Sequence, residues 1–269
     1  MSNQDSFAHR YGKLAVVAGA AEGLGAAFSR ALAARGLDLL LCDTQGAEAA
    51  ALARELERTH GVRARSIEVD LGAEGAAHRI VEAAIGETVG LLVYNAARSH
   101  IGPWIAQPIA DQLRTVDVNV RGLLCLSHAL ASQMVARKRG GLLFVGSNAG
   151  LTGHALTAVY GATKAFGVTL GEALWDELAG SGVDVLVACP GAVRTKGYEA
   201  TGSKLPASFV LDPAQVAEEA LSGLGRLGPV MVVGGGNRVA ASVLRLMSRS
   251  NSVSLMGRMM RAVYPHRSK

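Results

Sequence analysis

Cysteine and aromatic residues are scarce in this sequence, and long apolar runs are missing from it. The 269 residues include three cysteines and 4% aromatic residues. The odd number of cysteines and their spacing indicate reduced packing thiols in a cytoplasmic protein and no metal site. No apolar run approaches the ~18 residues of a membrane-spanning helix, so neither a membrane span nor export is expected. The cysteines are Cys42, Cys125 and Cys189.

Acidic residues are absent from the end of the chain, where basic residues accumulate. No Asp or Glu follows Glu219, whereas eight Lys or Arg residues do. Residues 237–269 are therefore predicted to form a basic C-terminal extension, in which Leu255, Met256 and Met260 follow helical spacing. Such a helix can contact an anionic membrane surface. Alternatively, its apolar face packs on its own subunit or a neighbour and covers a pocket. Nucleic-acid binding is not expected, because aromatic residues are not interleaved with the charges.

Short apolar segments alternate with amphipathic helical patterns along most of the chain. This alternation predicts β-α-β crossovers and a three-layer α/β fold with a seven-stranded parallel sheet. No linker, repeat or low-complexity segment divides the chain. We predict a polar N-terminal tail over residues 1–12, one domain over residues 13–236, and a helical extension of that domain over residues 237–269. The predicted strands are 13–18, 38–42, 63–69, 90–94, 141–145, 184–188 and 229–233.

A glycine-rich turn follows the first predicted strand and precedes a helical pattern. Glycines let the backbone turn sharply and approach a pyrophosphate, and a helix N-terminus supplies free N–H groups. This order predicts a dinucleotide site in a doubly wound Rossmann fold, although an ordinary tight turn would give the same pattern. The predicted contacts in this loop are Gly19, Glu22, Gly23, Leu24 and Gly25.

Asp43 ends the second predicted strand, 18 residues beyond Gly25. An acid at about this distance binds the hydroxyls of the adenosine ribose and repels a 2′-phosphate. The sequence therefore favours NAD(H) over NADP(H). In the alternative interpretation, Asp43 only begins the turn and caps the next helix.

Tyr160 and Lys164 are one helical turn apart, and Ser147 precedes the tyrosine by thirteen residues. An ammonium beside a phenol lowers the phenol pKa, which would allow proton exchange with a substrate oxygen near neutral pH. The serine hydroxyl could hold that oxygen. Taken alone, the pair is also typical of a packed tyrosine beside a surface lysine.

Together these motifs resemble the short-chain dehydrogenase/reductase family from about Lys13 to about Val233. The glycine loop matches, although Ala18 stands where a threonine is usual. Departures from the family pattern are Tyr94, Ala97 and Gly146, the last standing where a second serine is frequent. The resemblance identifies the catalytic set as Asn119, Ser147, Tyr160 and Lys164. The further cofactor contacts that it implies are Asp70, Leu71, Asn95, Ala96, Pro190, Gly191, Val193 and Thr195, together with Tyr160 and Lys164 themselves.

The resemblance also implies a role for each catalytic side chain. Tyr160 exchanges a proton with the substrate oxygen while hydride passes between a carbinol carbon and nicotinamide C4. Lys164 binds the nicotinamide ribose and lowers the pKa of the tyrosine, and Ser147 orients the substrate oxygen. Asn119 maintains a helix irregularity and a water that connects Lys164 with solvent. Homodimers or homotetramers are the family habit.

The predicted substrate pocket is largely apolar. It is expected to be lined by the segment after Asn95, by the loop after Ser147 and by the loop of about residues 192–212. No cluster of basic residues points to a carboxylate or phosphate group there, so a steroid-like or long-chain acyl ketone, or the matching secondary alcohol, fits best. The pocket candidates are His100, Trp104, His154 and Tyr198.

Two functional classes follow from these patterns. The first is a nicotinamide-dependent alcohol dehydrogenase or ketone reductase. The second is a non-catalytic dinucleotide-binding or sensing module, because a fold does not dictate a function. The joint presence of Asn119, Ser147, Tyr160 and Lys164 favours the enzyme, since a binding module does not need that set.

Overall fold

The computed structural model describes residues 3–265 and contains a seven-stranded parallel sheet with helices on both faces. The strand order is β3-β2-β1-β4-β5-β6-β7. The predicted α/β class, the Rossmann layering and the seven strands are confirmed. The strands are β1 Leu14–Ala18, β2 Asp38–Asp43, β3 Ala64–Glu68, β4 Val89–Tyr94, β5 Gly140–Val145, β6 Val183–Cys189 and β7 Val230–Val232.

Helices connect the strands and form the two outer layers. A π-helical segment, Asp117–Gly122, joins α5 to α6 without a break. The helices are α1 Asn3–Tyr11, α2 Gly23–Ala33, α3 Gly46–His60, α4 Ala76–Ala83, α5 Ile109–Val116, α6 Leu123–Ala136, α7 Ala158–Glu177, α8 Lys196–Glu199, α9 Pro213–Gly223, α10 Gly235–Leu246 and α11 Arg249–Val263. Short 3₁₀ turns occur at Trp104–Ala106, Asn148–Gly150 and Ala207–Phe209.

The sheet separates two apolar cores. One core is formed with α2, α3 and α9, where Phe28, Leu56 and Val216 are fully buried. The other is formed with α4, α6 and α7, where Ile80 and Leu126 are fully buried. The strands β1, β2, β4 and β5 are buried at every position, because helices cover both faces.

The strand order reverses between β1 and β4. Chain connections leave β1 on one side toward β2 and β3, and leave β4 on the other side toward β5, β6 and β7. In open α/β sheets, ligands bind outside the carboxyl ends of the strands at such a reversal. The loops that follow β1, β4, β5 and β6 therefore define the candidate site.

The N-terminal segment differs from the polar tail predicted for residues 1–12. Residues 3–11 form α1, and Tyr11 is buried with its hydroxyl donating to the Leu224 carbonyl at 3.1 Å. Arg10 makes two hydrogen bonds to the Asp184 carboxylate, at 2.7 and 2.9 Å. Phe7 and Tyr11 are one turn apart, so two aromatic rings dock an otherwise polar helix. Residues 1 and 2 lie outside the described part.

The C-terminal extension consists of two helices, α10 and α11; residues 266–269 lie outside the described part. Over residues 3–265, every helix is too short or too polar to cross a membrane. The cytoplasmic location stays a prediction.

Candidate active site

The glycine loop after β1 is packed so closely that two of its positions exclude a side chain. Gly19 has a φ of +78°, and a Cβ there would lie 2.6 Å from the Cα of Ala96. A Cβ at Gly25 would lie 1.8 Å from the Gly19 carbonyl oxygen. The Asn95 side-chain amide donates to that same carbonyl at 2.7 Å. The loop thus presents bare backbone at the start of α2, as a pyrophosphate site requires.

Helix α2 begins at Gly23 with an uncapped first turn. Glu22 is extended at the N-cap and makes no side-chain hydrogen bond to the helix. The first N–H groups are therefore open to an anionic ligand. Leu24 is buried in the core, so only its backbone can contact a dinucleotide.

Asp43 is held at the edge of this loop by backbone donors. Its carboxylate accepts from the Ala21 N–H at 2.9 Å and from the Gln45 N–H at 3.1 Å. Asp43 is 9% exposed. The two sequence interpretations therefore coexist: the carboxylate organises the turn before α3 and also lies beside the glycine loop.

The other predicted cofactor contacts follow β3 and β6. The Asp70 carboxylate accepts from the Gly72 N–H at 3.0 Å and pairs with the Arg114 guanidinium. The Pro190 carbonyl accepts from the Asn148 N–H at 3.0 Å, which ties the ends of β5 and β6 together. The next predicted contacts are Leu71, which is buried, Gly191, which packs beside Asn237, and Val193, which pairs with Leu211.

Thr195 connects the glycine loop with the loop after β6. Its hydroxyl accepts from the Tyr198 N–H at 3.1 Å and begins α8. Its methyl group lies beside Gly23, so a Cβ at that glycine would meet it at 2.9 Å. The structure therefore brings Thr195, from the loop after β6, next to the glycine loop after β1.

Ser147, Tyr160 and Lys164 come together at the carboxyl end of β5. Ser147 begins the 3₁₀ turn after the strand, and its hydroxyl accepts from the Ala149 N–H at 3.2 Å. The buried Lys164 ammonium donates to the Val145 carbonyl at 2.7 Å. It lies 5.9 Å from the centroid of the Tyr160 ring. The three side chains predicted from local spacing thus share one site.

The electrostatics of this group differ from the expectation that Lys164 lowers the pKa of Tyr160. Burial raises the pKa of the Tyr160 phenol, and the nearby Ser147 hydroxyl opposes that rise. Burial also lowers the pKa of Lys164 to about 8. Desolvation therefore dominates, and the phenol stays protonated at neutral pH.

Asn119 joins the π-helical segment to two neighbouring elements. Its Oδ1 accepts from the Arg98 N–H at 2.8 Å, and its Nδ2 donates to the Arg98 carbonyl at 2.9 Å. The same Nδ2 donates to the Thr163 hydroxyl at 2.9 Å, and that hydroxyl donates to the Tyr160 carbonyl at 2.8 Å. Asn119 therefore fixes the loop after β4 and the first turns of α7 relative to each other.

A small cavity lies between Asn119 and Lys164. Its volume of about 10 Å³ is close to the space that one water molecule occupies. Both side chains line it, together with Tyr94, Gly146 and Thr163. The cavity suits the water that the family resemblance implied.

The four predicted pocket residues separate into two groups. His154 is partly buried, which lowers its pKa, and Tyr198 donates to the Ser203 hydroxyl at 3.0 Å. His100 belongs to the loop whose Gly102 N–H donates to the Leu156 carbonyl at 2.9 Å. The loops after β4 and β5, which carry His100 and His154, are thus joined, and Tyr198 lies in α8 after β6. The place of these three residues in the substrate pocket stays a prediction.

Trp104 does not join the other pocket candidates. It is 58% exposed and lines an open depression of about 400 Å³ with Val116, Val120, Val159 and Ala162. Val159 and Ala162 point away from Tyr160, because neighbouring helix positions differ by about 100°. The 3₁₀ turn places Trp104 on the outside of α5 and α7, and its place in the substrate pocket stays a prediction.

Several groups at the site escape local sequence patterns. The Val145 carbonyl binds Lys164, and Thr163 bridges Asn119 to Tyr160. Thr163 directly precedes the lysine, which was the one available signal. Tyr264, far along the chain, lies near enough to Tyr160 to raise its pKa. Among residues 3–265, no three His, Cys, Asp or Glu side chains form a group that could hold a metal.

A family model described as short chain dehydrogenase matches residues 13–205. A very-long-chain 3-oxoacyl-CoA reductase of Laccaria bicolor is 34% identical over 188 residues, which are 68% of this chain and 56% of the relative. A 7beta-hydroxysteroid dehydrogenase of Collinsella aerofaciens is 29% identical over 225 residues, which are 81% of this chain and 84% of the relative. The chain thus spans little more than half of the fungal relative.

Solved structures show the same fold. A structure from a study of 7beta-hydroxysteroid dehydrogenase stereoselectivity superimposes with a TM-score of 0.88 and 26% identity, covering 93% of this chain and 98% of that one. A Sphingobium yanoikuyae short-chain dehydrogenase with NADPH gives 0.76 at 25% identity, covering 88% and 97%. A Brucella melitensis 3-oxoacyl-[acyl-carrier protein] reductase with NAD gives 0.75 at 25%, covering 88% and 95%. These neighbours use both dinucleotides, so the NAD preference stays a prediction.

Proposed function

The chain belongs to the short-chain dehydrogenase family of oxidoreductases, and we propose that it interconverts a secondary alcohol and a ketone with a nicotinamide dinucleotide. One observation carries the proposal. Ser147, Tyr160 and Lys164 meet at the carboxyl end of β5. The glycine loop follows β1 at the same end of the sheet, and its Gly19 and Gly25 positions leave no room for a side chain. A dinucleotide site and a proton-transfer group thus adjoin at the strand reversal.

The residues after β1 fit a dinucleotide. The glycine loop is free of side chains, the first turn of α2 is uncapped, and Asn95 holds the loop from β4. When bound, such a cofactor supplies or accepts the hydride. The residues that would hold it are Gly19, Gly23, Gly25, Asp43, Asn95 and Thr195.

The proton is handled by the side chains of β5 and α7. In ketone reduction, the Tyr160 hydroxyl donates its proton to the substrate oxygen. Burial raises the pKa of the phenol and so keeps it protonated for this step. Ser147 supplies a second hydrogen bond to that oxygen, where negative charge develops. Lys164, still mostly protonated at neutral pH, stabilises the phenolate that remains. Asn119 acts as a positioning residue through Thr163.

We propose an apolar substrate of the steroid-like or long-chain acyl class. The loops after β5 and β6 contain the apolar residues Leu156, Leu205 and Phe209. The names of the two relatives describe a hydroxysteroid dehydrogenase and a 3-oxoacyl-CoA reductase. The choice between these classes requires a substrate panel that contains both.

We propose that NAD(H) is the preferred cofactor. The buried Asp43 carboxylate and the Glu22 carboxylate flank the glycine loop, and neither would accommodate a 2′-phosphate. Glu22 pairs with Lys196, whose ammonium lies 3.7 Å from the carboxylate.

We also propose that the protein assembles as a homodimer or homotetramer through the outer face of α5 and α7. An apolar stripe on α5 is exposed there at Ile109, Leu113 and Val116. It continues into the depression beside Trp104 and Val159. A second copy presents the same self-complementary helices, as two-fold assembly requires.

The decisive experiment replaces the proposed acid. Tyr160→Phe should lower kcat by about 10²–10⁴-fold, because general acid catalysis contributes roughly that factor. NADH affinity, measured by fluorescence titration, should stay within a factor of about three, since the phenyl ring still fills the space.

Tyr11→Phe is the matched control, because it removes a hydroxyl whose partner is the distant Leu224 carbonyl. It should keep parental kcat. An active Tyr160→Phe enzyme would contradict the catalytic assignment. A chain that binds NADH but turns over no alcohol or ketone in the panel would instead favour a sensing module.

A further inference from the structure

Tyr94, the last residue of β4, departs from the family pattern and has no part in the proposed proton transfer. Its side chain is 2% exposed, and its hydroxyl donates to the Val118 carbonyl at 2.6 Å. Burial raises the pKa of the phenol, so the hydroxyl remains a neutral donor at neutral pH. Tyr94 therefore provides a buried hydrogen bond from the sheet to the helix that carries Asn119.

The Val118 carbonyl belongs to the π-helical segment and lies one residue before Asn119. A π turn bonds residues five apart instead of four, and such turns are rare and occur mostly singly within α-helices. A shift of one residue in register turns a side chain by about 100° around the helix axis. Return of this turn to α-helix would therefore rotate Asn119 away from Arg98 and Thr163, its two partners.

The backbone around the Tyr94 hydroxyl is packed so closely that only glycine fits beside it. Gly122 ends the π-helical segment, and a Cβ there would lie 2.5 Å from the hydroxyl oxygen. The same Cβ would also collide with the Leu71 carbonyl oxygen. Bare backbone at Gly122 thus allows the hydroxyl to enter between β4 and the π-helical segment.

Tyr94 also lines the cavity of about 10 Å³ between Asn119 and Lys164. Gly146, another departure from the family pattern, lines it as well. A cavity of this size has space for about one water molecule. One side chain thus contacts the segment that carries Asn119 and borders the space beside Lys164.

We propose that Tyr94 is a positioning residue, which holds the Val118 carbonyl and so maintains the π turn that directs Asn119 into the site. The Tyr94 ring also keeps the cavity beside Lys164 at the size of one water. This inference rests on the proposed function of the site. The effect of Tyr94 on turnover passes through Asn119.

Tyr94→Phe removes the hydroxyl and keeps the ring. It should lower kcat by about tenfold to a hundredfold, because displacement of a supporting group by about 1 Å can cost the larger factor. NADH affinity should stay within a factor of about three. Tyr11→Phe is the matched control, because Tyr11 is also a buried tyrosine whose hydroxyl donates to a backbone carbonyl, that of Leu224. It should keep parental kcat.

A double-mutant cycle separates positioning from a loss of stability. If Tyr94 acts through Asn119, then Tyr94→Phe combined with Asn119→Ala should lose no more kcat than Asn119→Ala alone. A kcat loss in the double variant equal to the product of the two single losses would overturn the proposal. Independent structural damage would give that product, because effects at uncoupled sites add in free energy.

Gly122→Ala tests the same contact from the helix side. The added methyl group should displace the Tyr94 hydroxyl and lower kcat in the same direction as Tyr94→Phe. Gly236→Ala is the control, because a Cβ at Gly236 meets no atom within 4 Å. It should leave kcat unchanged. Thermal unfolding of each variant verifies that the domain is folded at the assay temperature.

Hydrogen exchange measures the π turn itself, without cofactor or substrate. Backbone amides of residues 117–123 should exchange about fivefold faster or more in Tyr94→Phe, since loss of a buried hydrogen bond changes a local opening equilibrium by about that factor. Mass spectrometry of peptic peptides detects the change. The same peptides should exchange at the parental rate in Tyr11→Phe.

The outcomes separate this inference from the proposed function. If Tyr94→Phe keeps parental kcat and parental exchange of residues 117–123 while Tyr160→Phe is inactive, the positioning role is overturned alone. An active Tyr160→Phe enzyme overturns the proposed function and this inference with it. Faster exchange together with a kcat loss that disappears in the Asn119→Ala background supports the role of Tyr94.

Discussion

Lys164 carries an electrostatic penalty at the site, because burial lowers its pKa. Its ammonium is buried and has one protein acceptor, the Val145 carbonyl. Burial of a cation without a carboxylate partner destabilises the charged form, which is why its pKa falls to about 8. The group proposed to stabilise the phenolate is thus maintained at a cost to folding.

This cost should appear as a pH-dependent gain in the free energy of unfolding of Lys164→Met relative to wild type. The pKa of this lysine is lower in the folded protein, about 8, than its ordinary 10.5. The penalty is therefore complete below pH 8 and disappears as the pH rises toward 10.5. The stability advantage of Lys164→Met over wild type should be larger at pH 7 than at pH 9.5 by about 2 kcal/mol. Urea unfolding at both pH values measures it; an advantage independent of pH would contradict the buried charge.

Asp43 decides the cofactor in the proposed function. Wild type should use NAD at least tenfold better than NADP in kcat/KM, because the carboxylate repels a 2′-phosphate. Asp43→Asn keeps an acceptor for the Ala21 N–H but removes the charge, so it should narrow that ratio mainly by improving NADP. Steady-state kinetics with both dinucleotides measure the ratio. A wild-type preference for NADP would overturn the proposed role of Asp43 and the proposed preference for NAD.

Among the elements, the π-helical segment and α1 do the most to position the rest. The π segment turns Asn119 inward to bond both Arg98 and Thr163. Helix α1 packs at the amino ends of the strands, opposite the candidate site, through Tyr11 and the Arg10–Asp184 ion pair. The π-helical segment thus organises the site, while α1 anchors strands β5 and β6 at their amino ends.

Tyr11→Ala tests whether α1 is part of the domain core. The ring is 1% exposed, and removing a buried aromatic side chain costs about 3–5 kcal/mol. We expect a loss of that order in the free energy of unfolding in urea. His9→Ala is the control on the same helix, because His9 is exposed, and it should change stability by less than about 0.5 kcal/mol. Equal stability of both variants would mean that α1 is a dispensable tail.

For the molecule as a whole, the outer face of α5 and α7 exposes a run of large apolar side chains at Ile109, Leu113 and Val116. Single exposed apolar residues are normal, whereas a contiguous patch indicates a contact. This face also carries Thr163 and the start of the Tyr160 helix. Assembly through it would therefore buttress the helix that holds the proposed acid.

Leu113→Glu should convert the assembly to monomers. A charge on the exposed α5 stripe would be buried without a partner at a two-fold contact. Ile85→Glu is the control, because Ile85 is 78% exposed and lies far from the stripe at the end of α4. Size-exclusion chromatography with light scattering should give dimers or tetramers for wild type and the control. A monomeric wild type at tens of micromolar would remove the proposed interface.

The sequence by itself determined the layered fold, its seven strands, the glycine loop and the grouping of Tyr160 with Lys164. These features depend on local pattern: apolar runs predict buried parallel strands, and positions four residues apart share a helix face. Ser147 and Asn119 required more, namely the resemblance to a family whose spacing they match. Their placement in one site follows from strand ends that meet at one edge of a parallel sheet.

Only the packing of distant segments decided the docking of α1, the outward position of Trp104 and the contacts of α11 with the loops after β5 and β6. Each depends on a contact between segments far apart in the chain, such as Tyr11 with Leu224 or Val263 with Lys204. It also decided the electrostatics of the tyrosine–lysine pair, because desolvation depends on how completely the surrounding elements exclude water. Periodicity describes which face of a helix is apolar, but only packing determines what that face meets.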